Sequence, residues 1–458
     1  MHHPRPTRAL LLLVAALVTA LGLGAAPATA AAPAAATATL VAPTGKAWLP
    51  APFWVVLRDG AQAGVAGRTL TLQRLGSSWS TVATATTGSD GTATVPVRLP
   101  SGSSSWRAVW AGDASYAAAT SPTTTATGQV LSTSMTIGGP ASVVDERSIE
   151  LAGRYLASDG SPVTGAAVSV QRRPPGGSWK TYKALRTDAA GRRSIRLTPR
   201  TDASWRAVGG SGSWWRAATS TNRWVDNRPS GTPVVLPAAA PRPAALAAQS
   251  RASGASANAV ITTLPNAVWN SMVGRSWHRG CPVGRSGLRL LRINYWGFDG
   301  YRYRGEMVLA TAVAGRAAAA LKDMYAQQLP IRRMYRVDRF GWSSRVRGAD
   351  DHASMRADNT SAFNCRWVVN KPGVMSPHAR GRAIDLNTWE NPYRSATGWV
   401  PNSWWSTRSH ARVAWRSASH PVVQIWRAHG FAWTYGTGDS QHVDGRTAPA
   451  TVAGTFVG

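Results

Sequence analysis

Two short segments near the C-terminal end hold the residues best suited to chemistry. The first contains His378 and Asp385 with Gly381 between them, and the second contains Asp439 and His442. A catalytic zinc ion takes three protein ligands, drawn from histidine nitrogens and carboxylate oxygens, and keeps one position open. On one continuous helix His378 and Asp385 would lie about 10 Å apart along the axis, too far to share an ion. We therefore predict that Gly381 breaks the chain and that a strand follows it.

The third ligand of this predicted site comes from the second segment. His442 would complete the zinc sphere, and Asp439 would lie beside the ion without binding it. A carboxylate in that position can take a proton from an attacking water molecule and later give it to the departing amine. The two segments together predict a site for one zinc ion that hydrolyses peptide bonds. Ordinary hydrogen-bonding residues in a turn and a strand are the alternative, and they leave the joint spacing unexplained.

The same residues carry a resemblance to a known family. The pattern S-x-H-x-x-G-x-A-x-D at residues 376–385, followed by D-x-x-H at residues 439–442, resembles the zinc D-alanyl-D-alanine carboxypeptidases of the VanY and VanX type. The related L-alanyl-D-glutamate endopeptidases of phage endolysins are similar as well. The resemblance covers about residues 265–458, and within it residues 358–366 resemble a subgroup common in secreted bacterial proteins.

The resemblance implies a role for each matching residue. It implies that the two histidines and Asp385 bind zinc and that Asp439 is the catalytic base. It also implies an arginine, upstream of the first ligand, that stabilises the oxyanion formed from the scissile carbonyl. We choose Arg366, although other arginines lie nearby and a mere surface cation is the alternative. Ser376 is a candidate substrate-binding residue.

Two positions depart from the family pattern. The base is Asp439, where many relatives have glutamate, so its shorter side chain must begin closer to the water molecule. After His442 the chain continues Val-Asp-Gly, where relatives often have an aromatic residue. The second departure puts the pocket wall in doubt but not the ligand.

The N-terminal residues and the charge of the chain bear on its location and its partners. Residues 1–30 contain two arginines, an apolar run and the sequence Ala-Thr-Ala, which is typical of a cleaved secretory signal peptide. We therefore expect a secreted protein, extracellular or associated with the cell wall, without stable membrane insertion. The formal net charge of +30 favours association with polyanions. Export makes anionic wall polymers the expected partners, beside the peptidoglycan stem peptide as substrate, and argues against nucleic acid.

The chain has only two cysteines, Cys281 and Cys365. In an oxidising compartment an even pair within one domain is best interpreted as a disulfide. Two free buried thiols are the alternative. Neither cysteine has another at close spacing, which excludes a cysteine-based zinc site.

The segment after the signal peptide repeats itself. Residues 37–128 and 132–228 share short alternating strands and the sequences Gln-Arg and Ser-Trp-Arg-Ala-Val at an offset near one hundred residues. They resemble the bacterial immunoglobulin-like repeats of surface proteins, which implies two all-β sandwiches. Their tryptophans, including Trp106, Trp205, Trp214 and Trp215, either stack on sugars or fill the cores.

The remainder divides into a linker and a third domain. Residues 229–264 are rich in Pro, Ala and Ser, which predicts a flexible or semi-extended linker. Residues 265–458 mix an alternating strand at 291–295 with helical stripes at 313–324 and 422–429, the second ended by Gly430. This mixture predicts an α+β zinc peptidase domain. We expect a multidomain monomer.

The expected function is therefore that of a D-alanyl-D-alanine carboxypeptidase acting on peptidoglycan. Two alternatives stay open: an L-alanyl-D-glutamate endopeptidase, and a non-catalytic wall-binding protein. A third, a basic exported nucleic-acid binder, predicts affinity that falls steeply with salt and needs no zinc.

Overall fold

The structure is a computed structural model, and it describes residues 31–369 and 371–445. The predicted signal peptide, residues 1–30, lies outside these described residues. The chain divides into two compact units. Of the described residues, the first unit holds 31–133 with the segments 157–159 and 211–217, and the second unit holds the others. Within the described ranges, no helix has the length and apolar character needed to cross a membrane.

The first repeat is built from two sheets that share one core. One sheet has the order β1-β3-β6, and the other has the order β2-β9-β7-β4-β5 with β8 beside β7. In β3 every second side chain is buried, from Ala51 to Leu57, because successive side chains of a strand point to opposite faces. The strands are β1 Ala36–Val41, β2 Thr44–Lys46, β3 Pro50–Asp59, β4 Thr69–Leu75, β5 Trp79–Thr86, β6 Thr92–Arg98, β7 Gly102–Trp110, β8 Ala119–Thr120 and β9 Thr124–Gln129.

The second repeat has the same arrangement of strands. Its sheets have the orders β10-β12-β15 and β11-β18-β16-β13-β14, with β17 beside β16. The duplication predicted from the sequence is therefore visible in the sheet topology, while the immunoglobulin-like character stays a prediction. The strands are β10 Thr133–Met135, β11 Ser142–Val144, β12 Ile149–Ala157, β13 Ala167–Arg173, β14 Lys180–Arg186, β15 Arg192–Leu197, β16 Ala203–Gly209, β17 Ala218–Thr219 and β18 Arg223–Arg228.

The repeated tryptophans lie in the cores of the two repeats. Trp106 in β7 and Trp205 in β16 are fully buried at equivalent positions of the two repeats. Each pairs across the sheet with the arginine that follows the repeated glutamine, Arg74 for the first and Arg172 for the second. The core interpretation is therefore confirmed for these two residues, and they offer no face to a sugar.

The segment 229–264 differs from the flexible linker predicted from its composition. Its backbone forms hydrogen bonds to the C-terminal domain, from Gly231 N–H to Gly300 C=O at 2.9 Å and from Ala244 N–H to Arg356 C=O at 2.7 Å. Residues Val260–Thr262 form a strand, β19, that pairs antiparallel with the domain's longest hairpin. These backbone hydrogen bonds hold the segment against the domain without the apolar periodicity that a sequence pattern detects.

The C-terminal domain mixes helices with small sheets, as predicted. Helix α2 packs its apolar stripe on the β20–β21 hairpin and on α4, and these elements share one core. Helix α2 contains the stripe predicted at 313–324. Helix α4 contains the second predicted stripe except its last member, His429, which follows the helix and precedes Gly430. The helices are α1 Asn266–Met272, α2 Thr311–Ala326, α3 Asp351–Arg356 and α4 Pro421–Ala428. The further strands are β20 Leu288–Trp296, β21 Arg302–Ala310, β22 Trp342–Ser343, β23 Gly348–Ala349, β24 Trp367–Val368, β25 Lys371–Met375, β26 Ala383–Asp385, β27 Tyr393–Ser395, β28 Gly398–Val400, β29 Phe431–Ala432 and β30 His442–Gly445.

The predicted disulfide between Cys281 and Cys365 is confirmed. It closes a loop with a sequence separation of 84 residues. Closing so long a loop restricts the unfolded chain, so the bond contributes about 4 kcal/mol to stability. The Cys281→Ala/Cys365→Ala double variant is expected to lose stability of that order in urea unfolding followed by tryptophan fluorescence. A reductant should lower the stability of the wild type to that of the variant and leave the stability of the variant unchanged. A wild type whose stability does not change on reduction would contradict this prediction.

Candidate active site

The first site segment turns back on itself at Gly381. Residues Pro377–Arg380 form one 3₁₀ turn, which the Ser376 hydroxyl caps by accepting a hydrogen bond from the backbone N–H of His378 at 3.3 Å. Gly381 then takes φ +67°, and a Cβ atom there would lie 2.8 Å from the backbone nitrogen of Ala310. Only glycine fits both the left-handed backbone and this close approach. The predicted chain break at Gly381 is confirmed.

Strand pairing brings the second site segment to the first. β26 pairs antiparallel with β30, and Asp385 lies directly opposite His442. Directly opposed residues of a sheet point to the same face, so the carboxylate and the imidazole meet. The turn described above places the His378 ring on the same face. Three residues from two distant parts of the chain therefore converge.

The convergence is tight. His378 Nε2 lies 3.2 Å from Asp385 Oδ2 and 3.2 Å from His442 Nδ1, and His442 Nδ1 lies 3.0 Å from Asp385 Oδ1. All three side chains are buried. On its other side, His378 Nδ1 bonds to the carbonyl oxygen of Ala362 at 2.8 Å. That bond makes Nδ1 the protonated nitrogen and turns the Nε2 lone pair toward the centre of the group.

The charges and hydrogen bonds of His378, Asp385 and His442 favour a positive charge between them. Burial alone would raise the pKa of Asp385, but the charges and hydrogen bonds of His378 and His442 outweigh it and hold that pKa well below the usual range. Burial alone would lower the pKa of His442, but the neighbouring carboxylates of Asp385, Asp444 and Asp439 outweigh it and raise that pKa to about 10. The site thus stabilises a cation at the point where the three side chains meet.

The donor set fits a zinc ion. Ligand distances of about 2.0–2.2 Å in a tetrahedral site put neighbouring donor atoms about 3.4 Å apart, close to the separations found here. Asp444 Oδ1 lies 3.1 Å from Nε2 of His442, on the side away from the centre. Its contact is not aligned with the ring N–H, since Nε2 has no well-formed hydrogen bond, but the carboxylate still favours a proton there and a lone pair on Nδ1. His378, Asp385 and His442 are therefore able to hold one metal ion.

Asp439 lies beside this group with an unusual carboxyl group. Its Oδ1 is buried and has no hydrogen-bond partner among the residues that the structure describes. Burial, and then the negative charge of Asp385, raise the pKa of Asp439 to about 7. A carboxyl group with that pKa can both accept and release a proton near neutral pH. A bound cation would offset the charge of Asp385 and favour the ionised form that a base requires.

Arg366 is part of the same cavity and is not a surface cation. The residue is 8% exposed, and its guanidinium forms an ion pair of 2.7 Å with Asp351 at the start of α3. Its neighbour Cys365 is held by the disulfide to Cys281. Burial raises the pKa of Asp439, and the positive charge of Arg366 offsets part of that rise.

The site opens to solvent through a cavity of about 420 Å³. Sequence reasoning missed several of its lining residues, among them Asp351, Tyr393 and Tyr435. Tyr435 is half exposed, and its ring lies 5.2 Å from that of His442, so it supplies the aromatic wall that the sequence after His442 does not. None of the three belongs to the motif, and only the folded chain brings them to it.

Comparison with known proteins agrees with this location. Residues 369–445 match the family model described as D-alanyl-D-alanine carboxypeptidase, and this range contains the predicted zinc ligands and Asp439. The match supports a peptidase of a family that acts on peptidoglycan. Arg366 lies just before the matched range. No curated protein matches the chain.

Two solved structures show only a slight likeness. A superoxide reductase from Thermotoga maritima is 10% identical, with 21% of this chain and 86% of that one covered and a TM-score of 0.18. The superoxide reductase neelaredoxin from Ignicoccus hospitalis is 8% identical, with 21% and 80% covered and a TM-score of 0.18. Likenesses at this level carry no argument about fold or function.

Proposed function

We propose that the protein is an exported zinc peptidase that hydrolyses the stem peptides of peptidoglycan, as a D-alanyl-D-alanine carboxypeptidase. The observation that supports it most is that His378, Asp385 and His442, all within the matched range, converge in an open cavity beside Asp439. The buried Oδ1 of Asp439 has no hydrogen-bond partner among the described residues. The disulfide supports export, because such bonds persist in oxidising compartments. The high positive charge supports retention near anionic wall polymers.

The residues divide the chemistry among themselves. His378, Asp385 and His442 would hold a zinc ion, which supplies Lewis acidity and lowers the pKa of water. Asp439 takes the proton from the attacking water molecule and gives it to the departing amine. Arg366 donates hydrogen bonds to the carbonyl oxygen of the scissile bond as that oxygen becomes negative. Ser376 contributes mainly by accepting the hydrogen bond that caps the turn holding His378.

Asp351 is expected to position Arg366. The Asp351→Asn variant keeps the size of the side chain but removes its charge, so the guanidinium is held less firmly. We expect turnover to fall roughly 10- to 100-fold, as hydrogen bonds to charged groups are worth that much, with zinc content unchanged and partial rescue in Asp351→Glu. Asp350→Asn is the matched control, because Asp350 caps α3 through Ala353 and asparagine caps equally well. Equal rates in Asp351→Asn and wild type would remove this role.

The bond that is cleaved can be identified directly. Purified peptidoglycan is digested with the full-length protein, and the released products are identified by mass. Free alanine from pentapeptide stems is the expected product. Stem fragments beginning at D-glutamate would instead identify an L-alanyl-D-glutamate endopeptidase, and no release by the zinc-loaded protein would contradict both activities.

A further inference from the structure

One hydroxyl group in the cavity has no hydrogen-bond partner within the described part of the chain. Tyr393 lines the cavity, and its Oη is buried and makes no hydrogen bond to any residue that the structure describes. A buried hydroxyl in that condition has given up its hydrogen bonds to water without gaining a replacement, so it is less stable than a paired one. Buried polar groups are nearly always paired, so an unpaired one at a site requires an explanation.

The position of Tyr393 is fixed by its neighbours. Its backbone forms a bridge with Asp439, so the tyrosine and the proposed base are held side by side. Asn391, two residues earlier, is fully buried and donates through its amide to the carbonyl oxygens of Asn387 at 3.0 Å and Val413 at 2.9 Å. This backbone framework holds the ring in the cavity without using the hydroxyl.

The hydroxyl lies among the charges that act on the reaction. The charges of Asp351, Arg366, Asp439 and Asp385 all act on its hydroxyl group. Burial, the largest effect, raises the pKa of Tyr393 to about 12, so the group stays protonated at neutral pH and can donate. Neither Arg366 nor Asp439 uses it as a partner. Its proton is therefore free for an oxygen atom of a molecule bound in the cavity.

We propose that the Tyr393 hydroxyl donates a hydrogen bond to the scissile carbonyl oxygen of the substrate as that oxygen becomes negative, sharing this role with Arg366. The inference rests on the proposed peptidase function. It assigns a catalytic contact to a residue outside the zinc-binding motif. A donor at a developing oxyanion stabilises the transition state more than the bound substrate, so its loss affects turnover more than substrate binding.

The test compares two variants that each lose one phenolic hydroxyl. Tyr393→Phe removes the unpaired group, whereas Tyr335→Phe removes a hydroxyl that bonds to Ala247 outside the cavity. Both are assayed as full-length, zinc-loaded protein on the stem peptide that the wild type cleaves. We expect kcat of Tyr393→Phe to fall by roughly 10²-fold with KM nearly unchanged, and Tyr335→Phe to match the wild type.

Two further measurements separate this role from the others. Zinc content should be equal in all three proteins, and the affinity for a phosphinate analogue of the dipeptide, which mimics the tetrahedral state, should fall with kcat in Tyr393→Phe alone. An active wild type with an equally active Tyr393→Phe variant would overturn the role of Tyr393 and leave the peptidase proposal standing. A zinc-loaded wild type that cleaves no stem peptide would overturn both.

Discussion

Replacing Asp439 by asparagine is expected to lower stem-peptide hydrolysis by about 10³-fold, since general acid–base catalysis contributes on this scale. Asparagine has nearly the same size but cannot take a proton from water or return one to the amine. Asp439 is not one of the three converging ligands, so the variant should keep its zinc. The measurement is kcat on a stem peptide together with zinc content by mass spectrometry.

Asp444→Asn is a useful contrast for this prediction. Asp444 lies against the outer nitrogen of His442 and not in the cavity. The Asp444→Asn variant should bind zinc roughly 10- to 100-fold more weakly, as found for residues that support metal ligands. At saturating zinc the variant should reach nearly full turnover. If Asp439→Asn behaved in the same way, with activity recovered by added zinc, Asp439 would be a supporting residue and not the base.

Removing any one ligand is expected to have the second large effect. His378→Ala, Asp385→Ala and His442→Ala should each fail to retain the zinc ion during dialysis and should lose measurable activity. A catalytic zinc needs three protein ligands, and the buried group offers no fourth side chain to replace one of them among the described residues. Equilibrium dialysis with zinc, followed by activity assays, measures both losses.

A matched control is available in the same domain. His429 pairs with Asp323 at 2.7 Å on the surface, away from the cavity, and His429→Ala should keep zinc and activity. Zinc should also raise the melting temperature of the wild type and of this control, because a ligand that binds only the folded state stabilises it. The three ligand variants should show no such rise. Zinc-dependent stabilisation of His442→Ala would contradict the assignment.

The sequence predicted the site better than it predicted its surroundings. His378, Asp385 and His442 could be chosen because zinc accepts few ligand types and because the distance along a helix excluded the simplest geometry. Gly381 was informative for the same reason, since a break in the chain there lets His378 and Asp385 come together. The disulfide followed from there being two cysteines in one predicted domain.

Other features depend on packing that no local pattern records. Asp351 and Arg366 are fifteen residues apart, and their ion pair exists only because α3 begins at the cavity. The sequence around Tyr393 does not distinguish it from other tyrosines, because its place beside Asp439 comes from a backbone bridge between the two residues. The segment 229–264 has the composition of a flexible linker, and its attachment uses backbone hydrogen bonds, which composition does not reveal.

The most direct test of the account is a zinc titration of the chelator-stripped, full-length protein on a stem peptide. The account predicts negligible hydrolysis at the start, a rate that rises in proportion to added zinc, and saturation at one zinc ion per chain. Zinc bound and activity recovered should follow the same curve. Full activity in the stripped protein, or one bound zinc ion without any hydrolysis, would contradict it.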